Sequence, residues 1–132
     1  MRYVPYIAIL IAFVQIHLPR QLVSNEMKKL DGGYDNRDPR GQQPKLEGRG
    51  KRALGAHHNG FESFAPFAVA ILMCAQRGAS IDLVAWLAIA FVAVRTVFIA
   101  AYIADKSTLR SSMWTLGMLA TGALMIAAIV GP

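Results

Sequence analysis

The sequence predicts an all-α integral membrane protein, a bundle of four transmembrane helices. Three observations lead there. The 132-residue chain is 55% hydrophobic and only 17% charged, too apolar for an ordinary small soluble domain. The apolar residues are bunched into four long runs, 3–18, 53–75, 81–104 and 113–130. A chain this small cannot hide four helices that are apolar all round from water, because most of its surface stays exposed. Residues 1–132 are read as a single membrane domain.

The first run is shorter than the roughly 20 residues that cross a bilayer core, but Arg2 and His17 can snorkel from its ends. Its basic start resembles a secretory signal. The following "QIHLPRQL" offers no small-residue cleavage site, so an uncleaved helix is expected. Residues 19–52 form a long loop. Within it "LVSNEMKKL" reads either as an extension of the first helix or as a short interfacial helix, and "DGGYDNRDPRGQQP" is rich in turn formers and reads as irregular. The second run reaches spanning length only if "GAHHN" is helical too. Pro66 inside it lacks an N–H and crowds the Glu62 carbonyl, which predicts a kink whose freed carbonyl a side chain or water can satisfy. The third run, interrupted by Asp82 and Arg95, and the fourth are long enough outright. Cys74 is the single cysteine, which excludes an intrachain disulfide, and its apolar setting marks a packing residue.

Charge sets the expected orientation. Arg20, Lys28, Lys29, Arg37, Arg40, Lys45, Arg49, Lys51 and Arg52 lie in the long loop, and Lys106 and Arg110 in the short loop between the third and fourth helices. The opposite side has only Arg2 and Arg77. The positive-inside rule therefore places both basic loops in the cytoplasm and both termini outside. The formal charge is +6, but Glu26, Asp31, Asp35, Asp38 and Glu47 interleave with the basic residues. No nucleic-acid partner is expected. The partners implied are the lipid bilayer and anionic headgroups or an anionic ligand at the cytoplasmic face.

Ionisable groups inside a span are costly and face protein or water. Glu62 and Arg95 each lie nine residues from the cytoplasmic boundary of their helices, a depth of roughly 13–14 Å at 1.5 Å per residue. Opposite charges at one depth predict a structural ion pair. His58 and Asn59, four and three residues before Glu62, share its helix face. Arg95 and Tyr102, seven apart, share a face of the third helix. Arg110 precedes Ser111 and Ser112 at the start of the fourth helix. Basic and hydroxyl groups at a helix N-terminus suit an anion or thiolate; the plainer role for Arg110 is to set topology. His57, His58 and Glu62 lack an HExxH pattern and His17 is distant, so no metal site is expected.

These residues carry a family resemblance. "AHHNGFESFAPF" resembles the second-helix motif of the MAPEG family, membrane-associated proteins in eicosanoid and glutathione metabolism, which runs approximately R-A-H-x-N-D-x-E-x-x-x-P-F. "RTVFIAAYIADKSTLRS" resembles the family's third helix and the loop arginine after it, and "GGYDNRDPR" looks like the bacterial branch. The resemblance implies a homotrimer in the bacterial inner membrane, with glutathione sites between subunits near the cytoplasmic side. It also implies glutathione transfer or peroxide reduction on hydrophobic small molecules. By position, Asn59, Glu62 and Tyr102 match glutathione-contacting residues, Arg110 matches the thiolate-stabilising arginine followed by Ser111, Arg20 matches a basic residue ending the first helix, and Arg95 matches the third-helix arginine. The sequence departs from the motif at Gly55, His58, Gly60 and Phe98, thinning its cationic and hydrogen-bonding groups. Two other readings stand beside the enzyme. One is a non-catalytic lipid- or partner-binding protein of the same fold. The other is a small multidrug transporter with a buried glutamate, against which the long loop argues.

Overall fold

The computed structural model describes residues 1–131. Four long helices run antiparallel in sequence order: α1 (Val4–Met27), α3 (Gly48–Arg77), α4 (Ile81–Ile103) and α5 (Ser107–Val130). A short α2 (Pro39–Gln42) and a 3₁₀ turn (Gln43–Lys45) lie between the first two. α1, α4 and α5 are each long and apolar enough to cross a membrane. α3 is the longest, at 30 residues, but Arg49, Lys51, Arg52, His57, His58 and Glu62 make its first half polar. Its length of about 45 Å exceeds a bilayer core of about 30 Å, so a polar end projects beyond any apolar slab it enters.

α1 carries Pro5 in its first turn, which its fixed φ suits. It does not stop at Leu18: it continues through Pro19 for two more turns to Met27. Of the two expectations for "LVSNEMKKL", helix extension is the one found. Val23 and Met27 are buried on that extension with Leu46 and Ala53, a small core at the basic end. The loop is correspondingly shorter, and its "DGGYDNRDPRGQQP" segment is not wholly irregular. Asp38 caps α2 by accepting from the Gly41 N–H at 2.9 Å. The buried Gln42 amide ties the loop together, donating to the Gly33 carbonyl at 2.7 Å and accepting from the Asp35 N–H at 2.9 Å.

α3 starts at Gly48, five residues before the expected 53, and runs unbroken through Pro66. It ends at Gly78, which adopts φ +72, a left-handed turn that a side chain would strain. The Gly78 and Ala79 N–H groups both return to the Cys74 carbonyl. Asp82 in the first turn of α4 complements its dipole. α5 begins at Ser107 rather than 113, because the turn from α4 is only three residues and closes on itself: the Lys106 N–H bonds the Ala101 carbonyl at 2.9 Å.

α3 and α4 each pack on all three other long helices. The core face of α3 carries Phe67, Ala70, Ile71 and Cys74 against Ala8 and Ala12 of α1, Val84, Ala88 and Phe91 of α4, and Leu124 and Ala128 of α5. Small residues let the helices approach closely. The Phe67 and Phe91 rings fill the space left, stacked at 3.7 Å with an interplanar angle of 7°. Leu10, Trp86, Leu119 and Ile129 are each more than half exposed on the outside. An exterior this apolar belongs in lipid or against other chains.

Candidate functional site

The α3–α4 pair holds the polar residues, and its register explains which meet. At the basic end Arg52 bonds the Ile103 carbonyl through Nε at 3.2 Å and pairs with Asp105 at 3.4 Å. One turn deeper the Tyr102 hydroxyl lies over Gly55, so close that a Cβ there would sit 2.5 Å from it. Deeper again, Arg95 Nη1 donates to Asn59 Oδ1 at 2.9 Å, and Asn59 Nδ2 donates to Glu62 Oε2 at 2.9 Å. Beyond that comes the Phe67–Phe91 stack.

The expected direct ion pair between Glu62 and Arg95 is therefore corrected to a relay through Asn59. Among the described residues the salt bridges are Lys29–Glu26 and Arg52–Asp105. Tyr102 over Gly55 puts Arg95 and Glu62, each seven residues deeper, level with one another. The reason is side-chain direction: Arg95 turns toward the basic end, over the Phe98 ring and onto Asn59, while Glu62 is exposed. Arg95 is 4% exposed, while Glu62 is exposed, so the relay carries a buried positive charge out to a surface carboxylate.

Arg95 also begins an aromatic ladder. Its guanidinium lies 4.1 Å from the Phe98 ring centroid, Phe98 meets Tyr102 edge-on at 5.5 Å, and Arg110 lies 4.9 Å from the Tyr102 centroid. Cations over ring faces at these distances are attracted by the ring quadrupole. Phe98, a departure from the family pattern, thus acts through its face instead of a hydrogen bond. Arg110 sits on the second turn of α5 and pairs with no carboxylate among the described residues.

Ser111 is exposed next to Arg110, and its carbonyl accepts from Thr115 Oγ1 at 3.1 Å. Arg20 is not brought into this strip by any hydrogen bond; its Nη1 lies 3.9 Å from Met27 Sδ on α1 itself. His57 Nδ1 lies 2.7 Å from the Ile16 carbonyl. A carbonyl only accepts, so Nδ1 carries the proton, and the ring clamps α3 to α1. His17, His57 and His58 are strung out at 6.2 and 6.0 Å between successive ring centroids, and no group of three metal-ligating side chains exists among the described residues.

Two polar residues escaped the sequence reading. Gln15 reaches across from α1 to α4, donating to the Val92 carbonyl at 3.0 Å and to Thr96 Oγ1 at 2.8 Å. An amide in the middle of an apolar run was the signal available for it. Ser63 gives its proton to the Asn59 and Gly60 carbonyls at 2.9 and 3.2 Å, an internal back-bond with no signature outside the helix.

A tripeptide thiol such as glutathione presents two carboxylates, an ammonium and a thiol. The strip offers complementary groups: a carboxylate at Glu62 with one oxygen engaged by Asn59, and the guanidinium of Arg110, without an acidic partner among the described residues. These groups suit the ammonium and one anionic group of such a ligand. Compared with protein families, residues 4–130 match the sequence model of the MAPEG family. Neither the curated proteins nor the solved structures compared with the chain contain a match.

Proposed function

The chain belongs to the MAPEG family, and from that premise we propose that it is a multi-pass inner-membrane enzyme that uses glutathione against lipophilic electrophiles. In this reading all four long helices span, with basic loops in the cytoplasm and termini outside, and three copies assemble with glutathione between them. The observation that carries it is the α3–α4 strip with Arg110 at its edge. It brings together an exposed carboxylate, an amide, a phenol and, at Arg110, a cation with no acidic partner among the described residues.

Each residue has a role set by its chemistry. Glu62 receives the ammonium of the tripeptide, Asn59 and Tyr102 orient its backbone, and Ser111 and Arg20 contribute hydrogen bonds at the rim. Arg110 stands by the sulfur, since a nearby positive charge favours thiolate over thiol. The thiol proton passes to water. The thiolate attacks an electrophilic carbon delivered from the lipid, a C–S bond forms, and the leaving group departs with its bonding pair. Assembly answers a separate problem: an exposed carboxylate at membrane depth is costly against lipid, and a neighbouring copy covers Glu62. Light scattering on the detergent-solubilised protein should give three copies of the 14.4 kDa chain.

Calorimetric titration of glutathione into detergent-purified protein tests the reading. Wild type should bind saturably, and Arg110→Ala should bind at least tenfold more weakly. Absence of saturable binding to wild type rejects it. A second reading, lipid binding without turnover, is favoured by an apolar groove of about 300 Å³ between α1 and α4, lined by Ile7, Ile11, Ile89 and Val92 among others. Lipid that co-purifies with the protein, together with no turnover of a chloronitrobenzene, would select it.

A further inference from the structure

Gln15 on α1 is 7% exposed and Arg95 on α4 is 4% exposed. Each is satisfied at one end only. Both hydrogens of the Gln15 amide are spent on Val92 and Thr96, and Arg95 Nη1 is spent on Asn59. The other ends are bare. Gln15 Oε1 and Arg95 Nη2 are the two buried side-chain polar atoms without a partner among the described residues. Turning the amide over does not help Gln15, because its oxygen would then face the Val92 carbonyl, acceptor against acceptor.

The two residues line one cavity of about 10 Å³, together with Ser63, Gly60, Ile16 and Phe91. That is close to the roughly 10–15 Å³ a single water needs, and buried waters hold two to four polar partners. The orphaned atoms are complementary to a water and not to each other's neighbours: Arg95 Nη2 donates and Gln15 Oε1 accepts. Buried polar groups in native proteins are rarely left unmatched, and a charged donor least of all. An apolar occupant would serve neither.

We propose that this cavity is a binding site for one internal water. The water accepts from Arg95 Nη2 and donates to Gln15 Oε1. Its second hydrogen goes to Ser63 Oγ, whose own proton is already committed to the carbonyls of Asn59 and Gly60. The water thus links α1 to the Arg95–Asn59–Glu62 relay. Gln15 becomes a positioning residue: it holds Arg95, and through it Asn59, from the far side of the bundle. The site stands independently of the glutathione reading, because neither orphaned atom depends on a ligand at Glu62 or Arg110.

The test is proton-detected solid-state NMR on isotopically labelled full-length protein in lipid, measuring magnetisation transfer from water to the Arg95 guanidinium. Wild type should show transfer to Arg95, with transfer to the exposed loop arginines as the positive control. In Gln15→Leu, which removes the acceptor and fills the space, the Arg95 signal should fall at least severalfold while the controls persist. Transfer to the controls but not to Arg95 in wild type overturns the proposal. So does undiminished transfer to Arg95 in Gln15→Leu. If that variant does not fold, the wild-type measurement decides alone.

Discussion

Asn59 is the residue on which the polar strip turns, because it is bonded on both sides: its oxygen to Arg95 and its amide to Glu62. Asn59→Leu leaves a buried guanidinium with the Phe98 ring and no acidic or amide acceptor. Hydrogen bonds to charged groups contribute about 1.5–3 kcal/mol, so a loss of about 2 kcal/mol is expected. Glu62→Gln keeps the shape and an acceptor for the Asn59 amide at an exposed position, so its stability should stay near wild type. Denaturation midpoints in detergent compare the two; equal losses would mean that the charge of Glu62, and not the Asn59 hydrogen bond by itself, holds Arg95. Gly55 makes a second residue-scale case. Because a Cβ would lie 2.5 Å from the Tyr102 hydroxyl, Gly55→Ala must move the phenol. If Tyr102 orients glutathione, KM for glutathione should rise severalfold in Gly55→Ala with little change in kcat. Tyr102→Phe in the Gly55→Ala background should restore stability without restoring KM. A KM unchanged in Gly55→Ala removes Tyr102 from the binding site.

At the scale of elements, hydropathy identified the apolar stretches of all four helices and misplaced their ends. α1 outruns its apolar stretch because Val23 and Met27 find a second core under the loop, with Leu46 and Ala53. That is tertiary packing which no local window contains. α5 begins early because three residues suffice to turn the chain. These shifts left Arg95 and Glu62 at one depth; the relay arises because Arg95 turns onto Asn59 while Glu62 is exposed, which residue counting along a helix does not contain. The relay members and the ladder residues Tyr102 and Arg110 were legible as polar groups at helical spacing, whereas Gln15 was not, since its partners lie on another helix 77 and 81 residues away. Helix contact is also where Gly60 acts. A Cβ there would stand 3.3 Å from the Ile16 Cα, and backbone cannot swing aside as a side chain can. Gly60→Ala should cost about 1 kcal/mol and Gly60→Leu about 3 kcal/mol, the range for overpacked contacts. Gly60→Leu should also lift α1 and break the His57–Ile16 bond, visible as a histidine chemical-shift change. Wild-type stability in Gly60→Leu would mean α1 does not approach α3 this closely.

The whole molecule is polarised, and that polarity determines how it must sit in a membrane. The α1–α3 loop and the α4–α5 turn lie at one end of the bundle, joined by the Arg52–Asp105 pair and by the small core in which Ile103 packs beside Leu46 and Ala53. That end carries most of the basic residues of a chain with formal charge +6. The other end, at the α3–α4 turn, has Arg77 with Asp82 close by. Basic loops resist translocation, so the loop end should face the cytoplasm. Cys74 is buried, with its Sγ 3.1 Å from the Leu124 carbonyl, so the native thiol should be silent toward a membrane-impermeant maleimide while the protein is folded. Exposed positions at the two ends can then report. Asn36→Cys in the loop should label only in inverted vesicles, and Ser80→Cys in the α3–α4 turn only in intact spheroplasts. Labelling of both from the same side would show that α3, whose first half is polar, does not cross. Labelling of each from the opposite side would put the polar strip, with Arg52 and Arg110 at its loop end, at the outer face. Cytoplasmic glutathione would then have no route to Arg110.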